Sequence, residues 1–260
     1  MKNDSNEVRQ VAAVQAQHTT EQHTTQPQNT AQAPRVDMYG GIHKALRALM
    51  ADTLLAVGRM DAEDDLELAQ VTERVLALLD SCASHLKHEN EFVHAAIEAR
   101  APGASERIAH EHDEHEKHIA SLADAVVALR GCAAEQRAMS ALELYRALSL
   151  FIAENYQHMH IEETAHNAVL WARYTDAELM EIHDRLVASI PPAEMMEIAR
   201  WMIPFMNPAE RAGMLGGMKQ QAPAPAFQAV LDTVRPHLTE REWVKLARAL
   251  DLPAVAGLVA

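Results

Sequence analysis

The segment Asn155–Glu163, NYQHMHIEE, packs two histidines and two glutamates into nine residues, between LSLFIA (148–153) and AVLWA (168–172), which are apolar enough to be buried. His158 and Glu162 are four apart, about 40° beyond one full helical turn and about 6 Å along the axis, so both side chains leave one face. If that face meets solvent, the pair is an ordinary surface contact worth about 0.2–0.5 kcal/mol. If it meets a core, a carboxylate and an imidazole are buried together, which is tolerable only with a compensating charge. The rest of the chain decides between the two.

A 3.6-residue apolar period begins at Met38 and predicts long helices over about 38–60, 64–99, 105–130 and 137–173. Shorter ones follow near 175–190, 192–203, 208–219, 225–236 and 239–250. The breaks are chemically reasonable. APGA (101–104) stops the second helix, Ser105 is placed to cap the third, and Thr175/Glu178 and Thr239/Glu242 have capping-box spacing. No strand pattern intervenes, aromatics are only 4%, and glycine is scarce, so the fold class is all-α. Four long helices with short connections predict an antiparallel four-helix bundle over 37–174, followed by a smaller C-terminal helical extension over 175–260. Part of that extension, EMMEIARWMIPFMNPAERAGMLGGM (194–218), is methionine-rich, a composition suited to irregular gaps or adaptable interfaces. Residues 1–36, rich in Gln and Thr, read as a disordered arm.

Bulk properties exclude several function classes. A formal charge of -14 argues against nucleic acid or an anionic membrane as partner. No stretch is long and apolar enough for a membrane span, and the start has no apolar signal region. Cys82 and Cys132 belong to no spaced framework, which fits a reducing, cytoplasmic setting. No serine, cysteine or paired-acid catalytic apparatus is evident. The fifteen histidines are what require explanation.

The second long helix repeats the spacing of the fourth: His85 and Glu89 lie on a stripe with Leu78, Cys82 and Phe92. In the third, Ile108, His112, His115, Ile119, Leu122, Val126 and Leu129 form one stripe, while His110 and His118 fall off it. In the first, His43 is in register with Leu46, Met50 and Leu54. Counted from the connections of an antiparallel bundle, at about 1.5 Å per residue, all four groups come within roughly two turns of one level. Two inward His/Glu pairs at a common level call for a shared positive charge, and a metal supplies it.

The series His43, HLKHE (85–89), EHDEH (111–115) and HMHIEE (158–163) resembles the hemerythrin family, specifically its bacterial HHE cation-binding branch, over about residues 38–174. The resemblance implies a four-helix bundle around two non-haem iron ions. In it, His43, His85, His112 and His158 would be terminal nitrogen ligands, and Glu89 and Glu162 would bridge. Ferritin-like bundles use E-x-x-H, the reverse order. Oxygen-carrying hemerythrins have two third-helix histidines four apart, whereas His112 and His115 are three apart. His115 is therefore either a seventh ligand or a group standing behind the ligands. Their fourth helix spaces its pair by five, which makes Glu163 the alternative to Glu162.

The expected function is binding of a small diatomic or peroxide ligand (O2, NO or H2O2) at the di-iron site, as carrier, sensor or detoxifier. The pocket would be kept dry by Leu86, Phe92, Ile119, Leu122, Phe151 and Met159. Two alternatives stand beside it: an iron-responsive regulatory module acting on a protein partner through residues 191–260, and a divalent-metal storage protein.

Overall fold

The structure, a computed structural model, describes residues 35–252. The expected arm over 1–36 lies outside the described residues apart from Arg35 and Val36. These two are held in place: Arg35 donates to Asp176 and to the carbonyls of Trp171 and Tyr174, and the Val36 N–H also reaches Asp176.

Among the described residues the secondary structure is helical throughout, with no strand. The first arm of the bundle is α1 (Gly40–Arg59). The second joins α2 (Asp65–His88), a π-turn at Glu89–His94 and α3 (Ala95–Arg100). The third is α4 (Glu106–Gly131). The fourth joins α5 (Ala134–Ile161), a π-turn at Glu162–His166 and α6 (Asn167–Arg173). α1 packs on α2 and α5, and α4 packs on the same two, which closes an antiparallel four-cornered bundle. Its main core, including Met50, Val75, Leu78, Val126, Leu148 and Phe151, fills the half of the bundle on one side of the histidine layer. A second cluster, Tyr39, Val93, Ile97, Leu170, Leu179 and Ile182, seals the other side and recruits α7 (Asp176–Ser189). Polar groups in the layer between are thus shut off from solvent by apolar packing above and below.

The caps explain most of the boundaries. Thr175 with Glu178 and Thr239 with Glu242 form the expected capping boxes. Ser105 does not cap α4: its hydroxyl donates to Glu98, whose carboxylate also accepts from the Gly103 and Ser105 N–H groups. Glu98 thereby ties down the tight α3–α4 turn, and Ser105, held at φ -101° and ψ -3° rather than in the extended conformation of an N-cap, does not present its oxygen to the first N–H groups of the helix.

The C-terminal region comprises α8 (Pro192–Met202), α9 (Pro208–Gln221), α10 (Ala224–Val234) and α11 (Glu240–Ala249), around a core of its own that includes Ile203, Leu215, Phe227, Val234, Trp243 and Leu246. Arg211 is buried beneath it and donates to the carbonyls of Ile203, Pro204 and Met206, so its charge is met by backbone oxygens. α8 lies along α1, and Trp201 reaches the bundle core. Among the described residues, no helix is long and apolar enough to cross a membrane.

Candidate metal centre

Each long arm delivers its share of the polar layer for a local reason. The i, i+4 spacing aims His85 with Glu89 and His158 with Glu162 into the bundle, at His Nε2 to carboxylate distances of 3.2 Å in both pairs. His43 Nε2 comes within 3.7 Å of Glu89 Oε1 and 3.5 Å of Glu162 Oε2. His112 Nε2 lies 3.6 Å from Glu89 Oε2 and 3.6 Å from Glu162 Oε1. The result is two groups of four side chains, each of which could hold a metal ion: His43, His85, Glu89 and Glu162 on one side, His112, His158, Glu89 and Glu162 on the other. Each carboxylate turns one oxygen to each set. Glu162 and His43 are fully buried at 0% exposure, and Glu89 is at 3%.

These atoms suit cations and little else. Both oxygens of Glu89, both of Glu162, and the Nε2 atoms of His43 and His85 are buried with no hydrogen-bond partner. Leaving one such group unsatisfied costs about 1–3 kcal/mol, more if charged. Six convergent ones form a donor set for metal ions, and imidazole with carboxylate matches the preferences of divalent transition metals.

The profile of the hemerythrin HHE cation-binding domain matches residues 36–170, just over half of the chain and nearly the whole of the four arms that build this layer. The chain belongs to the hemerythrin HHE family. No curated protein and no solved structure matches it significantly.

Behind these two groups of the HHE domain, three of the four histidines are gripped at their other nitrogen. His43 Nδ1 is 3.0 Å from Glu163, itself held by Arg47 at 2.5 and 3.0 Å. His158 Nδ1 is 3.1 Å from Glu111, which Arg107 also engages. His112 Nδ1 is 2.8 Å from Asn90 Oδ1. With a metal bound, these acceptors would keep the proton on Nδ1 and leave Nε2 as the lone-pair atom facing inward; without one, the Nε2 atoms of His112 and His158 lie 3.1 Å apart, a distance at which they share a proton. Glu163, the five-spaced alternative to Glu162, thus points to the back of His43 rather than into the layer.

The electrostatics are those of a site charged with protons in place of cations. Burial pushes His43 down, but Glu163, Glu89 and Glu162 outweigh it and raise its pKa to about 9. His158 is raised by its glutamates against the same burial penalty. Burial and the charge of Glu162 push Glu89 up, while His112 and His158 hold Glu162 low against its own burial. His85, desolvated and beside His43, is kept neutral.

His115 is buried but lies outside both ligand sets: its ring stands edge-on to His158, with centroids 4.7 Å apart, and to Phe151 at 6.2 Å. Asn155 bonds the Phe151 carbonyl, and Cys82 is a packed core thiol. His118 pairs with Glu154 at the surface.

Two buried histidines escape the sequence reading. His94 and His166 end the two π-turns and face the same layer, grouped with Glu162. In an α-helix His94 would project about 140° away from Glu89. The i→i+5 turn stacks residues five apart and brings it inward. His166 had a signal, since His158, Glu162 and His166 repeat at every fourth position.

Proposed function

We propose that this HHE protein is a non-haem di-iron protein that binds a small diatomic or peroxide ligand within the bundle. The observation that supports this best is the division of Glu89 and Glu162, one oxygen to each of two histidine pairs. One cation would be held by His43 and His85, its neighbour by His112 and His158, with both carboxylates shared. Iron in that position supplies redox chemistry and a Lewis-acidic point for the ligand. The chain's own residues do the rest. Glu163, Glu111 and Asn90 fix the imidazole tautomers. Leu86, Leu122, Phe151 and Met159 are buried beside the site and exclude water, with Phe92 and Ile119 partly buried at its edge. The free cysteines agree with a reducing, cytoplasmic setting.

The test is anaerobic reconstitution with ferrous iron followed by oxidation. The expected result is about two irons per chain, as in a paired site, with an oxo-bridged absorption spectrum. A chain that retains zinc alone at the centre, or a colourless protein without tight iron, removes the di-iron reading.

A second reading, in which metal occupancy is relayed to a protein partner through the C-terminal helices, has one structural observation in its favour. Those helices grip the two arms that carry His43 and His85. Lys44 bonds Glu210 at 2.6 Å, Met202 and Met206 lie over Gly41, and Ser84 bonds Glu194. If protease sensitivity of residues 191–252 is the same with and without iron, this relay is absent.

A further inference from the structure

His94 and His166 take no part in either half of the paired site, yet they are as buried as its ligands, at 4% and 2% exposure. Both ring nitrogens of His94 are buried without a hydrogen-bond partner. Its ring is stacked on His112, centroids 4.8 Å apart and planes at 17°, and stands edge-on to His166 at 5.3 Å. Stacking satisfies the faces of an imidazole and leaves its in-plane nitrogens unmet. A core histidine retained for packing would ordinarily find a carbonyl or hydroxyl for at least one of them. His166 is fixed differently: its Nδ1 is 3.1 Å from the Tyr39 hydroxyl, which orients the ring and leaves Nε2 for another task. One ligand atom each from His94, His166 and Glu162 lie within 4.8 Å of one another.

We propose that His94, His166 and one oxygen of Glu162 form a third cation position beside the paired site, for a divalent transition metal that accepts imidazole nitrogen. The two π-turns build it: each carries a shared carboxylate at its first residue and one of these histidines at its last. Three protein ligands leave coordination positions open to water or a small ligand, as in reactive metal sites. Glu162 already turns an oxygen to each half of the pair, so a third dication shares a donor and meets the repulsion of its neighbours. It therefore fills last and binds more weakly than the pair, by about tenfold or more. The inference depends on the di-iron reading only through Glu162.

The experiment is a titration of the metal-free, full-length protein with cobalt(II) under anaerobic conditions, with bound metal counted after desalting and affinities obtained by chelator competition. The wild-type chain is expected to take one equivalent more than His94→Leu, and that equivalent is the weakest. His43→Ala combined with His158→Ala reports separately on the pair. If that double variant binds as much as wild type, the paired-site reading falls, whereas equal stoichiometry in wild type and His94→Leu overturns the third position and leaves a pocket for water. Should His94→Leu fail to fold, anomalous scattering at the cobalt edge from wild-type crystals decides the matter. A peak between His94 and His166 is expected, and a blank map there overturns the proposal.

Discussion

At Glu163 and Glu111 a single carboxylate decides how the histidine in front of it can act. Each accepts at the Nδ1 of a ring whose Nε2 faces the metal layer, and each is itself braced by an arginine. Removing such an outer partner typically weakens metal affinity by about 10–100-fold without touching a ligand. Glu163→Ala and Glu111→Ala are each expected to do so in chelator competition, with helix content unchanged. Glu163→Gln should recover part of the loss, because its amide oxygen still accepts from Nδ1–H. Equal affinities for Glu163→Ala and wild type would show that the ring is oriented by packing alone. At this scale the sequence was legible wherever a side chain lies on an apolar stripe at helical spacing: His43 and His112 alone, and the i, i+4 pairs His85/Glu89 and His158/Glu162, all converge on one layer. It was ambiguous where two candidates sit side by side. His115 stands edge-on to His158 and Glu163 accepts at the back of His43, so each shares a helix face with a converging group while its own polar atoms lie outside the two sets.

The helices themselves could be read from periodicity and punctuation, since the apolar stripes, Pro191-Pro192 and the Thr-Glu boxes act locally. The π-turns could not, because an i→i+5 turn is a compromise with the neighbours, stabilised by tertiary packing and common at functional sites. Each starts at a carboxylate of the layer and ends at a histidine of it. The extra residue also phases α3, so that Val93 and Ile97 meet Tyr39, Leu170 and Leu179. Inserting an alanine after the exposed Glu91 would exceed the one extra residue that a π-turn absorbs and rotate everything beyond it by about 100°. Val93 and Ile97 would leave the core, at about 1.5–3 kcal/mol each. A Tm lower by at least about 6 °C is expected, read by circular dichroism. His85 and Glu89 precede the insertion and keep their places. An unchanged Tm would mean that the phase of α3 set by the π-turn is incidental to the packing.

Across the whole molecule, the buried layer makes metal and protons competitors, and the sign of the pH dependence follows. His43, raised from 6.5 to about 9, and Glu89, raised from 4.5 to about 8, hold protons in the folded metal-free chain that the unfolded chain releases. Their contributions are present below the unfolded values and are lost as pH rises through the folded ones, so stability declines from neutral pH towards 9. His94 and His115 act in the opposite sense. Burial lowers both to about 4, so the folded state resists charging them and loses stability as pH falls from 6.5 to 4. The metal-free protein should therefore be most stable near the ordinary histidine value of about 6.5, with a decline on each side. Cations displace the protons of the layer, so metal binding releases protons and tightens with rising pH, and the alkaline decline disappears in the loaded protein. Thermal melts from about pH 4 to about pH 10, with chelator and with ferrous iron under anaerobic conditions, test both limbs. A metal-free Tm that stays level between pH 6.5 and 9 would show that the carboxylates and imidazoles of the layer are not sharing protons, and with that the physical basis for a buried cation pair would be gone.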